Sequence, residues 1–162
     1  MKSIENLENI KNKSVILRLD LNVPIKNGKV TDTNRIDKIL PTLNFLLKKK
    51  AKIIIISHIG RPNGKIVKEL SLEPVSFCIK EKIKKEILLL KENVFNLNKN
   101  DIFKNSKDNV VLLENIRFYP QEEANEDKFS EKLASLGEIY VNDAFSCSHR
   151  DHASVSKITK YI

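Results

Sequence analysis

Lys52-Ile53-Ile54-Ile55-Ile56-Ser57-His58-Ile59-Gly60-Arg61-Pro62 changes character halfway along. From Lys52 to His58 it is an unbroken apolar run of strand length. Such a run suits a parallel strand buried on both faces. Past His58 it turns polar at once, and Gly60 and Pro62 mark a loop. Parallel neighbours need crossover connections, so the flanking sequence should supply helices.

It does. Upstream, Ser14 to Leu21 (SVILRLDL) is a second β-branched apolar run, ending at Asn22-Val23-Pro24. Asn27-Gly28 is a turn signal. Thr33 and Asn34 are N-cap candidates for a helix from about Arg35 to Lys50. Its apolar stripe is Ile36, Ile39, Leu40, Leu43, Leu46 and Leu47, and Pro41 inside it should kink or stagger the helix. Downstream, Gly60, Pro62 and Gly64 form a loop. Ser71 caps a second helix, with Pro74 in its first turn, running to about Lys85. Glu86 to Leu90 reads as a short strand and residues 98–107 as a short polar helix. Asn109 to Asn115 is a third strong strand. Glu126 to Leu136 is an amphipathic helix with Gly137 as its C-cap, and Glu138 to Ala144 is a further strand. This alternation predicts one α/β domain over residues 1–162: three layers, α/β/α, around a mostly parallel, Rossmann-like sheet.

The 162 residues are enough for a domain that buries roughly 70% of its unfolded surface without disulfides or metal. No apolar run approaches the ~18 residues of a membrane helix, and the polar start MKSIENLENIKNK is no secretory signal. Cys78 and Cys147 form no CxxC and read as reduced thiols of a cytoplasmic protein. A formal charge of +8 raises nucleic acid as a partner. The 24 lysines, however, are scattered as on a solvated surface, and there are only five arginines: Arg18, Arg35, Arg61, Arg117 and Arg150. Arginine kept where lysine is otherwise used invites a specific explanation, because its fork binds phosphate and carboxylate bidentately.

In an open parallel sheet, ligands bind beyond the carboxyl ends of the strands. Those ends are unusually polar here: Asp20 and Asn22 after the first run, His58 and Arg61 after the second. Glu114, Asn115 and Arg117 follow the third, and Asn142 and Asp143 with His149 and Arg150 follow the fourth. Arg35 opens the helix after the first strand's loop. Parallel strands would gather four of the five arginines at one cleft, with His58, His149 and His152 nearby. Clustered guanidinium groups repel one another, so an anion carrying carboxylate and phosphate would satisfy them. Asp20 and Asn22 could bind ligand hydroxyls or hold arginines in position. Taken singly, Asp20 and Asp143 read as loop anchors, His152 as a packing residue, Gly60 and Gly64 as turn formers, and Cys147 as no nucleophile. There is no GxGxxG, no P-loop, no GxSxG elbow and no zinc-type histidine spacing.

Five segments in register closely resemble the phosphoglycerate kinase family: RLDLNVP (Arg18 to Pro24), RIDKILPT (Arg35 to Thr42), SHIGRP (Ser57 to Pro62), LLENIRFYPQEEAN (Leu112 to Asn125) and YVNDAFSCSHRDHAS (Tyr140 to Ser154). The resemblance covers essentially the whole chain and the amino-terminal half of the family's protein. It implies the substrate lobe of a two-lobed enzyme, ending at Lys160-Tyr161-Ile162 before the hinge and the nucleotide lobe. The implied reaction is phosphoryl transfer between 1,3-bisphosphoglycerate and ADP, giving 3-phosphoglycerate and ATP in glycolysis. Mg-ATP or Mg-ADP would sit on the other lobe, and the chain would be a cytoplasmic monomer, inactive by itself. By resemblance Asp20 and Asn22 contact the glycerate part, and Arg35 lies beside the reacting carboxyl as the catalytic charge stabiliser. His58, Arg61, Arg117 and Arg150 complete the basic patch. No metal ligand is implied in this chain. The sequence departs from the family at Ser146, Cys147 and Ser148, where other small residues are common. Asp151 stands where Ala is common and is expected to face solvent. The competing reading is a stand-alone anion- or nucleic-acid-binding α/β domain. Its only support is the basic charge, and three Tyr with no Trp make a poor stacking platform for bases.

Overall fold

Five strands pair side by side, all in parallel, in a computed structural model that describes residues 3–144, 146 and 148–162. They are β1 (Ser14–Leu19), β4 (Lys52–Ile56), β5 (Leu88–Leu90), β6 (Val110–Leu113) and β7 (Ile139–Asp143), in the order β5-β6-β4-β1-β7. Between β1 and β4 lie a two-stranded antiparallel hairpin, β2 (Ile25–Lys26) and β3 (Lys29–Val30), and the helix α1 (Asn34–Lys48). The helix α2 (Glu73–Ile83) follows β4. The short α3 (Pro120–Glu123) and α4 (Asp127–Ala134) follow β6.

The period of two along each strand sorts the core into two layers. Val15, Leu17 and Leu19 of β1, Ile53 and Ile55 of β4, and Val110 and Leu112 of β6 share one cluster with Ile36, Ile39 and Leu43 of α1 and Val75 and Ile79 of α2. Ile16, Ile54, Ile56, Val111 and Leu113 point the other way and pack with Phe129 and Leu133 of α4. Each fully buried aliphatic side chain contributes about 1.5–3 kcal/mol, so both faces of β1 and β4 are committed. The connection after β4 leaves over the first face and the one after β6 over the second. The carboxyl ends of these adjacent strands therefore border a crevice, the usual ligand position in such sheets.

Local differences from the sequence reading have identifiable causes. Asn34 is the first helical residue of α1, and its N–H is accepted by the Asp32 carboxylate at 2.9 Å. The Thr33 hydroxyl instead donates to Asp37. The helix is continuous through Pro41. The hydroxyl of Ser71 accepts from the Glu73 N–H, and Lys84 in the left-handed region ends α2. Residues 98–107 are turns rather than a helix, because the Asn98 side chain accepts the N–H groups of Asn100 and Asp101. Gly137 is not a C-cap: α4 ends at Ala134 with Ser135 as its cap. Asn27 and Gly28 both have positive φ, as the tight β2–β3 hairpin requires.

Gly137 is needed for contact rather than for conformation. A Cβ there would stand 2.6 Å from Ile16 Cγ1 and 3.2 Å from the Ser14 carbonyl oxygen. Gly137→Ala should therefore push the chain entering β7 off β1. Urea unfolding is expected to show a loss of about 1–3 kcal/mol, the usual range for overpacking; an unchanged midpoint would contradict that close contact.

Candidate active site

Ser57 fastens the carboxyl ends of β1 and β4 together. Its buried hydroxyl donates to the Leu19 carbonyl at 2.7 Å and accepts the Leu21 N–H at 3.1 Å. The polar residues beyond those ends then fall into two groups.

The first group lines an open cleft of ≈ 330 Å³ formed by Asp20, Arg35, Lys38, Ile39, Asp143 and Ser146. Arg35 stands in the first turn of α1, and its NH1 donates to Asp20 Oδ1 at 3.2 Å and to the Asn22 carbonyl at 2.8 Å. The other oxygen of Asp20 accepts from the Ser146 hydroxyl at 2.8 Å. The Asn22 amide oxygen accepts the Gly60 N–H at 3.0 Å, and Gly60 has φ +65°. Asp20 thus holds an arginine in position, and Asn22 joins the loop after β1 to the loop after β4. Arg35 remains half-exposed, with its Nε and NH2 edge turned to no partner among the described residues.

The second group is buried. His58 is 4% exposed and its Nδ1 lies 3.1 Å from Arg18 NH2. Arg18, wholly buried on β1, also donates from Nε to the Ser154 hydroxyl at 3.1 Å and from NH1 to the Leu19 carbonyl at 2.8 Å. Ser154 in turn gives its hydroxyl and its backbone N–H to the buried carboxyl of Glu122 in α3. Arg117, also buried, has its Nε 3.7 Å from Glu123 Oε1. Burial pushes the His58 pKa down to about 3, helped by the charges of Arg18, Arg117, Arg150 and His152. The imidazole is therefore neutral. Arginine can only donate, so Nδ1 is the acceptor and Nε2 carries the proton. Burial likewise raises the Glu122 carboxyl, against the pull of Arg18, Ser154 and Arg117.

Among the expected residues, the structure brings Asp20 and Arg35 together at one cleft, with the Asn22 carbonyl bonded to Arg35, and buries His58 and Arg117. Arg150 is exposed and acts on His58 and His152 only through its charge. Arg61 is exposed in the loop after β4 and is tied to none of the others among the described residues. His152 is half-buried, with its pKa lowered by burial and by Arg117. Glu114 and Asn115 are scaffold. Glu114 accepts from the Ser71 hydroxyl and from the N–H of Leu72 at the start of α2, and Asn115 donates to the Ile59 and Leu70 carbonyls. Asp151 faces solvent, and Cys147 lies outside the described residues. The residues that sequence reasoning missed are Glu122 and Ser154, and the buried role of Arg18. One signal was available: Arg18 follows Ile16 by two, which puts a cation on a core face of an apolar strand.

The parallel five-stranded sheet with helices packed on it, and polar groups at its carboxyl edge, defines an open-sheet α/β domain. The sequence model of the family "Phosphoglycerate kinase" matches residues 4–162, and the chain belongs to that family. The phosphoglycerate kinase of Clostridium kluyveri is 45% identical over 163 residues, 99% of this chain and 41% of that protein. That of Dictyoglomus turgidum is 45% identical over 155 residues, 96% of this chain and 39% of that protein. The solved phosphoglycerate kinase of Coxiella burnetii superposes with a TM-score of 0.85 at 37% identity, covering 98% of this chain and 39% of that one. The Pyrococcus horikoshii enzyme gives 0.81 at 29% identity. The chain thus spans about two fifths of the relatives it matches. No helix among the described residues is long and apolar enough to cross a membrane.

The neutral state of His58 has a thermodynamic signature. In the unfolded chain the ring takes a proton below its ordinary 6.5, whereas the folded ring resists to about 3. Between these values the unfolded state binds more protons. His58 therefore adds a stability loss as pH falls through that window, with a slope approaching 1.36 kcal/mol per pH unit. Urea unfolding between about pH 4.5 and 7 should show a shallower acid loss for His58→Gln than for the parent chain. Parallel curves would show that the folded ring is not held neutral.

Proposed function

We propose that these residues form the phosphoglycerate side of a phosphoglycerate kinase. The reaction is transfer of a phosphoryl group between the acyl phosphate of 1,3-bisphosphoglycerate and ADP, giving 3-phosphoglycerate and ATP, a glycolytic step in the cytoplasm. The observation that carries this reading is Arg35 at the mouth of the cleft, fixed through NH1 by Asp20 and the Asn22 carbonyl. Its remaining edge can face an anion. Around it the proposed binding set is Asp20, Asn22, His58, Arg61, Arg117 and Arg150.

The chemistry follows from that arrangement. An oxygen of the ADP β-phosphate attacks the acyl phosphorus, the bond from phosphorus to the carboxyl oxygen breaks, and a carboxylate leaves. Charge grows on the leaving carboxylate, where a positioned guanidinium is most effective. Arg35 is the catalytic residue of this part of the enzyme. Asp20 and Asn22 contact the glycerate part, and His58 donates through Nε2–H. Among the described residues no group of three His, Cys, Asp or Glu could hold a metal ion. By likeness to the family, the Mg-nucleotide belongs to the remaining three fifths of the family's length, which also supplies the partner surface that excludes water. We propose a monomer whose partners are phosphoglycerate and that nucleotide-binding part, with no nucleic acid.

Titration calorimetry and NMR of the 162 residues should show weak 3-phosphoglycerate binding, with shifts at Asp20, Asn22, Arg35, His58 and Arg117. Shifts confined to residues 48–52 would indicate non-specific charge and sink the assignment. The 162 residues alone should give negligible ATP from 1,3-bisphosphoglycerate and ADP, because holding one reactant forfeits ~7–11 kcal/mol of positioning. With a nucleotide-binding half joined covalently, Arg35→Ala should cost on the order of 3 kcal/mol of transition-state stabilisation, mainly in kcat. An effect confined to KM would reduce Arg35 to a binding residue.

A further inference from the structure

Every proton between Glu122 and His58 can be placed. Arg18 Nε donates to Ser154 Oγ, so the single hydroxyl proton of Ser154 must go elsewhere, and it points to Glu122 Oε1. The Ser154 N–H adds a second donation to the same carboxyl, at 3.1 and 3.2 Å to its two oxygens. At the other end Arg18 NH2 donates to His58 Nδ1, which leaves Nε2–H as the ring's only donor. The line runs carboxyl, hydroxyl, guanidinium, imidazole, and all four side chains are buried. Tyr140 braces it from β7, donating its hydroxyl to the Ser154 carbonyl at 2.6 Å. A neutral Glu122 would leave Arg18 as a buried cation without a counter-charge, a costly arrangement.

We propose that Ser154 and Glu122 are positioning residues. By holding the Arg18 guanidinium in one orientation, they fix the His58 tautomer, so that Nε2–H is always presented to the phosphoglycerate anion. Neither residue touches the ligand; both act through Arg18. The Glu122 carboxylate balances Arg18 inside the protein, which leaves the ligand's charge to the groups at the cleft. In an unfixed imidazole the proton would exchange between the two nitrogens, and part of the population would offer the anion a lone pair. The inference rests on the proposed function for the identity of the anion, but the tautomer does not depend on it.

The test reads both quantities. Nitrogen-15 NMR of the histidine rings, on the 162 residues, reports which nitrogen of His58 is protonated. Calorimetry reports 3-phosphoglycerate affinity. The parent chain should show a single neutral Nε2–H form. Ser154→Ala, which removes the acceptor of Arg18 Nε, should show a mixture of tautomers and about tenfold weaker 3-phosphoglycerate binding. Ser154→Thr, which keeps the hydroxyl, should restore both. A parent chain with Nδ1–H overturns the proposal without any variant, which covers the case in which Ser154→Ala fails to fold. A folded Ser154→Ala with unchanged tautomer, or with a changed tautomer and undiminished affinity, overturns it as well. A parent chain that binds no 3-phosphoglycerate would defeat the functional reading instead, and the tautomer comparison would then decide the relay by itself.

Discussion

A guanidinium ion with no exposed surface is the constraint that the carboxyl edge of this sheet is built around. Arg18 cannot lose its proton and cannot reach water, so each edge of its fork needs an acceptor supplied by the fold. Three different parts of the chain answer: the Leu19 carbonyl of its own strand, His58 after β4, and Ser154 near the end of the chain. Ser154 brings Glu122 with it from the segment after β6. One cation on β1 thereby ties that strand to the segments that follow β4, β6 and β7. Truncating one partner of such a buried pair typically costs 3–5 kcal/mol, because the other charge is stranded. The polar groups at this edge can sit on loops and still be held in register, because the ion beneath them tolerates little displacement.

The sheet was legible because its strands are buried on both faces, and burial on both faces writes itself as continuous Ile, Val and Leu. β1, β4 and β6 each lie within the run that predicted them. The all-parallel pairing follows from the helices between them. Pieces defined by turn chemistry were harder to read. The stretch 98–107 has helical composition, but Asn98 captures the backbone before a helix can start. Gly137 carries a C-cap's identity, yet its absent side chain serves the approach to Ile16, a contact that no local pattern records. Asparagine was the informative residue that composition hid. The chain has only four glycines. Among the described residues, six of the eight non-glycine residues with positive φ are asparagines: Asn9, Asn12, Asn27, Asn63, Asn109 and Asn125. What reads as a compositional bias fills left-handed turn positions that few other side chains tolerate.

The placement of the candidate residues was legible, and the buried contacts beneath them were not. Asp20, Asn22, His58 and Arg117 follow strand ends and Arg35 opens α1, as the pattern predicts. Glu122 lies in the run Pro120-Gln121-Glu122-Glu123, which any reading by composition assigns to solvent. Only tertiary structure separates it from Glu123: the first is wholly buried against Ser154, the second half-exposed near Arg117. Ser154 is equally ordinary in sequence. A buried charge that is completed by distant segments leaves one local trace, the misplaced Arg18 in an apolar strand.

The fold also resolves the repulsion that the arginines at this sheet edge would otherwise suffer. Clustered guanidinium groups favour a bound anion, yet the fold has to be stable without one. Here the chain supplies the anions itself: Asp20 for Arg35, Glu122 for Arg18 through Ser154, and Glu123 beside Arg117. Arg61 and Arg150 stay in water, where an unpaired charge costs little. The division has a chemical consequence. The interior pair is fixed, so it can orient His58 but contributes little net charge to a ligand. The cleft pair is open, because Asp20 engages only one nitrogen of Arg35 and leaves the rest of the fork available. An incoming anion therefore need not displace Asp20. It adds to a guanidinium already held in place, which lowers the ordering cost of binding.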